Sequence, residues 1–224
     1  MSTTLTQDVT IPSGEVRLEG EINLPAGAAG IVLFAHGSGS SRHSPRNKHV
    51  AQILQQAGLG TLLFDLLTRQ EEAIDLKTAR LRFDISLLAE RLVDATRWLK
   101  GSSDMGRLNV GYFGSSTGGG AALVAAATLE SGVAAVVSRG GRPDLAGSAL
   151  PEVRCPTLLI VGGDDEPVVR LNRAAYERLE CKKELKIIPG ATHLFEEPGK
   201  LQQVAELAAA WFQEHFNRVK LPPR

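Results

Sequence analysis

Short apolar runs alternate with helical patterns along most of this 224-residue chain. A continuous apolar run such as residues 31–34 is typical of a strand buried on both faces of a parallel sheet. The segments between such runs repeat apolar residues every three or four positions, which is typical of amphipathic helices. This regular alternation predicts an α/β fold built on a doubly wound, mostly parallel sheet.

The same patterns place the individual elements. After the first run, we predict strands at residues 61–64, 108–113, 133–137, 157–161 and 185–188. Helices are predicted from Ser44-Pro45 to Gly58, along a stripe from Ile85 to Leu99, at 117–129, near 171–179 and around 204–211. The polar stretch at 68–77 is predicted only to lead into the second of these helices.

The chain begins with a different pattern. Alternating apolar residues at 16–24 follow a turn signal at 12–14, which predicts antiparallel strands at the N-terminal edge of the sheet. About twenty residues separate the strand ending at 137 from the one beginning at 157, too few for a helical lid domain. We therefore expect a single domain over residues 1–224, with an open active site.

Charge and cysteine content restrict the partners. Lys and Arg total 25, as do Asp and Glu, so the formal net charge is zero, which argues against nucleic acid or an anionic membrane as the main partner. No stretch has the pattern of a signal peptide or a membrane span. Cys155 and Cys181 belong to no metal-ligand spacing. We expect a cytoplasmic protein with ordinary thiols and with no metal or cofactor.

Gly114-Ser115-Ser116-Thr117-Gly118 matches the pattern G-x-S-x-G between a predicted strand and a predicted helix. This context suits a nucleophile on a sharp strand-to-helix turn, because small residues are needed two positions before and after it. The helix N-terminus behind such a turn favours developing negative charge. The glycine register selects Ser116 rather than Ser115. The alternative is a glycine-rich turn that only packs the helix against the sheet.

Three carboxylates follow strand ends and are candidates to orient a catalytic base. Asp164 and Asp165 follow the strand at 157–161, and Asp144 follows the preceding strand. A buried carboxylate in such a position accepts the ring N–H of a histidine and fixes its tautomer. The residues alone leave Asp164 and Asp165 in competition, with Asp144 ranked lower. Asp164 and Asp165 could instead form a polar turn or cap the next helix.

His193 is the one of five histidines in a strand-end loop downstream of both the serine and the carboxylates. Catalytic groups of such sheets gather at the carboxyl ends of the strands, so we expect His193 near Ser116 as the base. Alone, a loop histidine is usually a surface residue. The chain order of serine, aspartate and histidine makes the catalytic interpretation much stronger.

The loop His36-Gly37-Ser38-Gly39-Ser40 follows the first parallel strand. Acyl transfer needs preorganised donors for an oxyanion, and a glycine-rich loop can present a backbone N–H there. We predict that the N–H groups of Ser38 and Thr117 form the oxyanion hole. His36 is predicted to hold its own loop by hydrogen bonding rather than to act as a base.

Together these loops resemble the α/β-hydrolase superfamily and, within it, the dienelactone-hydrolase-like group of small members without a lid. The resemblance extends from about Gly20 to Phe216 and rests on His36-Gly37, Gly114-x-Ser116-x-Gly118, Gly162-x-x-Asp165-x-x-Val168 and Gly190-x-x-His193. It implies Asp165, rather than Asp164, as the acid. The namesake enzymes carry a cysteine where this chain has Ser116, which puts dienelactone as the substrate in doubt. Residues 36–47 also resemble hydrolase domains that are sometimes joined to phosphoribosyltransferase domains.

The resemblance implies a serine hydrolase that cleaves a small ester or lactone through an acyl-enzyme. Loop residues concentrate binding functions, and four lie where they would border the site: Arg42, Arg82, Phe83 and Arg139. Their arginines hint at an anionic substrate, although solvated surface arginines are the alternative.

Two other classes of protein remain as alternatives. One is a hydrolase-fold protein that binds a ligand or partner without turnover. The other is a nucleotide-binding domain, in which Gly114 and residues 118–120 would open a helix and Arg139 would meet a 2′-phosphate. This second alternative lacks both G-x-G-x-x-G and a P-loop lysine, and it leaves the loops of Asp165 and His193 unexplained.

Overall fold

A computed structural model describes residues 4–216. Its eight strands are β1 (Leu5–Ser13), β2 (Val16–Leu24), β3 (Gly30–Ala35), β4 (Gly60–Phe64), β5 (Asn109–Ser115), β6 (Ala135–Arg139), β7 (Thr157–Gly162) and β8 (Lys183–Ile188). They form one sheet in the order β1-β2-β4-β3-β5-β6-β7-β8. The first two strands are antiparallel, and β3 to β8 run parallel to one another, which confirms the predicted sheet.

The described chain forms six α-helices: α1 (Pro45–Gln56), α2 (Arg69–Thr78), α3 (Ile85–Lys100), α4 (Thr117–Leu129), α5 (Glu166–Arg178) and α6 (Lys200–Phe216). One face of the sheet packs against α3 and α4, and the other against α1 and α6. Burial of both faces explains why the parallel strands read as continuous apolar runs. The strand order also differs from the 3-2-1-4-5-6 order of dinucleotide-binding sheets.

Helix α2 corrects the prediction that the polar stretch at 68–77 has no element of its own. Asp75 is its one buried residue, so no apolar stripe announces the helix. The start of α2 nevertheless has a recognisable sequence signal, Thr68 followed three residues later by Glu71. The Thr68 hydroxyl accepts the Glu71 N–H at 3.2 Å and the Glu71 carboxylate accepts the Thr68 N–H at 2.7 Å, which is a capping box.

Other elements differ from prediction mainly in their bounds. Strand β6 ends at Arg139, two residues beyond the predicted end, and α5 begins at Glu166, directly after the Gly162–Asp165 turn. Residues Pro143–Glu152 form short 3₁₀ turns rather than a helical lid, as the short connection predicted. None of the helices between residues 4 and 216 is both long and apolar enough to cross a membrane.

Candidate active site

Ser116 lies on the sharp turn between β5 and α4. Its backbone angles, φ 51° and ψ −122°, fall where side chains other than glycine are rarely found. The two motif glycines are required by close packing around this turn. A Cβ on Gly114 would lie 2.5 Å from the Gly118 carbonyl oxygen, and one on Gly118 would overlap the Ala35 carbonyl. The turn therefore has the geometry expected of a nucleophile elbow.

Asp165 and His193 are joined by a hydrogen bond of 2.7 Å between Asp165 Oδ2 and His193 Nδ1. Asp165 occupies the N-cap position of α5 but makes no capping bond, because its carboxylate is turned towards the histidine. Asp164 is exposed, and its backbone N–H donates to the Ala191 carbonyl. Asp144 pairs with Arg142, at 2.8 and 2.9 Å. Of the three candidate carboxylates, the structure thus pairs Asp165 with His193.

The turn at residues 140–142 contacts both Ser116 and the histidine loop. The Arg142 N–H donates to the Ser116 carbonyl at 2.9 Å. A Cβ on Gly140 would lie 3.6 Å from His193 Cε1. The buried Asn172 side chain, on α5, donates to the Gly141 carbonyl at 3.0 Å and so fixes the turn. Ser116 and His193 therefore lie on either side of this turn, at the same edge of the sheet.

Arg139 does not border an open cleft, where the sequence placed it. Its side chain is 6% exposed and lies beneath the histidine loop, with Nη1 3.5 Å from the Leu194 carbonyl oxygen and the guanidinium 5.9 Å from the Phe195 ring centroid. Its Nε has no hydrogen-bond partner in the described part of the chain. Burial, together with the positive charge of Arg46, lowers the pKa of Arg139 to about 10. The Arg139 side chain therefore supports the loop of His193 and is not placed to contact a substrate.

The loop at residues 36–40 approaches the N-terminus of α4. The buried ring of His36 accepts the Leu66 N–H on Nε2 at 3.0 Å, and its Nδ1 contacts the Gly37 carbonyl at 3.1 Å, which fits the predicted structural role. The Ser38 N–H does not point freely into solvent. It donates to Thr117 Oγ1 at 3.0 Å. The role predicted for the Ser38 and Thr117 amides in an oxyanion hole stays a prediction.

A cleft of about 580 Å³, including its open mouth, extends from Ser38 and Thr117 towards α2. Its walls are the loop of residues 36–41 with Asp65, Leu67, Glu72, Asp75, Leu76, Arg82, Leu88 and Thr117. Sequence reasoning missed Asp75, although the capping box of α2 was a usable signal. The Asp75 carboxylate accepts from the Leu81 N–H at 2.7 Å and from Arg82 Nε at 2.5 Å, so it anchors the turn that follows α2.

Of the three remaining residues predicted to contact substrate, Arg82 lines the cleft, and Arg42 and Phe83 do not. Arg42 is neutralised by an ion pair with Asp65 and by a second with Glu19 at 2.8 Å, so it ties loops together. Arg82 lines the cleft, with Nη1 3.9 Å from the position of a Cβ on Gly39. Phe83 is 56% exposed on the adjacent 3₁₀ turn.

Both cysteines are free, as predicted. They precede β7 and β8 and so lie at the amino ends of these strands, at the opposite edge of the sheet from Ser116. Burial raises the pKa of the Cys155 thiol to about 12 and also raises the pKa of Cys181. Among residues 4–216, no group of three or more His, Cys, Asp or Glu side chains has the arrangement of a metal site.

Fold and site together define an α/β hydrolase. The chain belongs to the dienelactone hydrolase family, whose model matches residues 18–220. A crystal structure of a dienelactone hydrolase from Anabaena variabilis is 63% identical, covers 95% of this chain and 98% of its own, and superposes with a TM-score of 0.93.

Other relatives differ in name and length. A Mycobacterium tuberculosis protein named "Putative phosphoribosyl transferase" is 56% identical over 210 residues, which are 94% of this chain but 46% of that protein. This chain thus spans about half the length of the curated relatives it matches. A Xanthomonas campestris serine hydrolase described as without lid has the same fold, at 20% identity, 97% coverage of each chain and a TM-score of 0.75.

Proposed function

We propose that this protein is a serine hydrolase that cleaves a small ester or lactone through an acyl-enzyme on Ser116. The observation that carries the proposal is the 2.7 Å hydrogen bond between Asp165 and His193, at the sheet edge that holds Ser116. A carboxylate on Nδ1 fixes the tautomer of the ring, so that Nε2 is left to accept the serine proton. The strained turn at Ser116 supports the same assignment.

In the acylation step, Ser116 Oγ forms a bond to the carbonyl carbon and its proton passes to His193 Nε2. The carbonyl electron pair moves to the oxygen, which becomes an oxyanion. When this intermediate collapses, the bond to the alcohol breaks and the alcohol oxygen takes the proton from His193. For a lactone, that alcohol stays attached to the acyl group. Water then attacks the acyl carbon with His193 again as base, and the proton returns to Ser116 as the acid leaves.

The cleft beside Thr117 limits the substrate. The cleft is partly open to solvent and leaves room for a small substrate group rather than a large one. Arg82 is the one of the four predicted contact residues that lines it, and its Nη1 faces the Gly39 loop while Nε is held by Asp75. Because Arg82 is paired with Asp75, and Asp65 and Glu72 also line the cleft, the lining does not favour an anionic substrate. The transferase name of the Mycobacterium relatives belongs to proteins about twice the length of the matched segment, and it is not part of the proposal.

The test compares wild type with Ser116→Ala, and Ser115→Ala serves as the matched control. Ser115 precedes Ser116 but is turned towards Asn47, at 3.4 Å. We expect wild type and Ser115→Ala to hydrolyse short nitrophenyl esters and to take up a fluorophosphonate probe. Ser116→Ala should lose turnover by on the order of 10⁶-fold and take up no label.

Two outcomes would contradict the proposal in different ways. If wild type neither hydrolyses ester nor takes up label, the protein is a hydrolase fold without turnover. If label persists in Ser116→Ala, another residue is the nucleophile.

A further inference from the structure

The hydroxyl of Thr117 accepts a hydrogen bond, but its own proton has no acceptor within residues 4–216. Thr117 is the first residue of α4, is 3% exposed, and lines the cleft together with Gly37 and Ser38. Its Oγ1 accepts the Ser38 N–H at 3.0 Å, across 79 residues of sequence. A hydroxyl carries one proton as well as two acceptor lone pairs. Because Thr117 accepts from Ser38, its own proton remains to be donated.

Other helical threonines show where such a proton usually goes. Thr96 and Thr128 each donate their hydroxyl to the backbone carbonyl four residues earlier, at 2.9 Å. The residue four positions before Thr117 is Phe113, which belongs to β5 rather than to the helix. Within residues 4–216, the Thr117 hydroxyl accepts one hydrogen bond and donates none. The carbonyl that usually accepts the hydroxyl proton of a helical threonine is thus not available to Thr117.

The contact with Thr117 also changes what the Ser38 amide can do. An amide has a single proton, and that of Ser38 is directed at Thr117 Oγ1. It is therefore not free to point fully at a substrate oxygen. Thr117, in contrast, offers two donors next to the nucleophile. Its N–H is the first of α4 and has no acceptor within the helix, and its O–H is polarised by the Ser38 amide.

We propose that the Thr117 hydroxyl is a direct donor to the oxyanion, beside the Thr117 N–H, and that the Ser38 N–H acts through it. This inference rests on the proposed serine hydrolase function. When Ser116 Oγ bonds to the acyl carbon, the negative charge on the carbonyl oxygen strengthens the hydrogen bond from the Thr117 O–H. The proton stays on Thr117, since the Ser116 proton has gone to His193. The residue thereby stabilises charge that appears only in the transition state.

Two variants separate the hydroxyl from the shape of the side chain. Thr117→Val keeps the branched shape and removes the hydroxyl, whereas Thr117→Ser keeps the hydroxyl. With a nitrophenyl ester, we expect Thr117→Val to lose about 100-fold in kcat, which is typical of one oxyanion donor, while KM changes little. Thr117→Ser should retain most of the wild-type kcat.

A second readout responds to an oxyanion donor but not to a merely structural residue. A thionoester places sulfur, a poorer hydrogen-bond acceptor, where the ester has its carbonyl oxygen. We expect wild type and Thr117→Ser to prefer the ester over the matched thionoester strongly, and Thr117→Val to lose much of that preference.

The outcomes distinguish this inference from the function it rests on. Three outcomes would overturn only the role of the hydroxyl. They are a wild-type kcat in Thr117→Val, an unchanged ester preference in that variant, and an equal loss of kcat in Thr117→Ser. Absence of any Ser116-dependent turnover in wild type would overturn both.

Discussion

The two sides of Ser116 are built from different kinds of interaction. We call the segments at residues 139–142, 162–165 and 189–195 the histidine side, and the loop at 36–42 together with the segment at 65–83, which includes α2, the cleft side. Short hydrogen bonds to backbone hold the histidine side, such as that from the Gly140 N–H to the Ile160 carbonyl at 2.7 Å. Ion pairs at partly exposed side chains, including Arg42 with Glu19, hold the cleft side.

Exposure follows the same division. Four large apolar side chains are exposed between residues 4 and 216, and three of them, Ile74, Leu76 and Phe83, lie on the cleft side, while Leu5 lies on β1. Ion pairs with a half-exposed partner, such as Arg42 with Glu19, contribute little stability, whereas buried hydrogen bonds are costly to break. The pair of Arg82 with buried Asp75 is an exception on the cleft side. The molecule therefore separates a firmly held reaction centre from a more loosely held substrate side. Changes to the two sides should affect different kinetic constants.

Among changes to these two sides, the largest expected effect is on the histidine side, at Asp165. Asp165→Asn keeps the shape of the side chain but no longer favours the tautomer of His193 that leaves Nε2 free. We expect kcat for a nitrophenyl ester to fall by on the order of 10⁴-fold. Asp164→Asn is the matched control, because Asp164 is exposed and uses only its backbone N–H, towards Ala191. A larger loss in Asp164→Asn than in Asp165→Asn would move the role of the acid to Asp164.

The histidine side was also the more predictable from sequence. Its residues lie at or directly after the carboxyl ends of the parallel strands β6, β7 and β8, and these ends meet at one edge of the sheet, so position along the chain determined position in space. Arg139 shows the limit of that reasoning. It is indeed at a strand end, but which face of the sheet its side chain takes depends on strand register. It is buried under the histidine loop instead of facing a substrate.

The cleft side was harder to predict because its contacts join elements without apolar periodicity. Asp75 lies on a polar helix, and its partners Leu81 and Arg82 follow six and seven residues later on a 3₁₀ turn. Nothing in hydrophobic patterning identifies such an anchor. The Thr117 hydroxyl was missed for a related reason. Sequence reasoning assigned a role to its backbone, and only the fold brings the side chain to Ser38.

An intermediate effect is expected from Asp75→Asn on the cleft side. The substitution removes the charge that holds Arg82 Nε at 2.5 Å and weakens the anchor of the turn at 81–83. We expect KM to rise about tenfold, the size of losing one charge-assisted hydrogen bond, with kcat nearly unchanged. Glu90→Gln is the control, since Glu90 is exposed on α3 and does not line the cleft. A fall in kcat without a change in KM would contradict the division between the two sides.

The pH dependence of this anchor has a defined sign. Burial by itself raises the pKa of the Asp75 carboxyl, but hydrogen bonds from Arg82 and Leu81 outweigh burial and lower the pKa below its usual value of 3.8. The stability that ionised Asp75 contributes is therefore complete above that value and is lost as pH falls through the lowered pKa. The difference in thermal midpoint between wild type and Asp75→Asn should be equal at about pH 7 and about pH 5, and should shrink below pH 3.8. A difference that shrinks already between pH 7 and pH 5 would show that another group is responsible.

The smallest expected effect concerns the surface ion pair between Arg46 on α1 and Glu196, which directly follows the histidine side. The atoms are 3.0 Å apart, and the two side chains are 36% and 63% exposed. A pair this exposed should contribute less than about 1 kcal/mol to the free energy of unfolding. The two single variants should nevertheless differ. Glu196→Gln leaves Arg46 unneutralised near buried Arg139, whose pKa is already lowered by burial and by Arg46.

Arg46→Gln, in contrast, removes a positive charge that opposes the charged form of Arg139. We therefore expect Glu196→Gln to be slightly less stable than Arg46→Gln in urea unfolding, by about 0.5 kcal/mol, with kcat unchanged in both. Such a result would show that the histidine side depends on its buried contacts and not on this surface pair. A loss of kcat in Glu196→Gln comparable to that in Asp165→Asn would instead make the surface pair part of what positions His193, and the contrast between the two sides would fail.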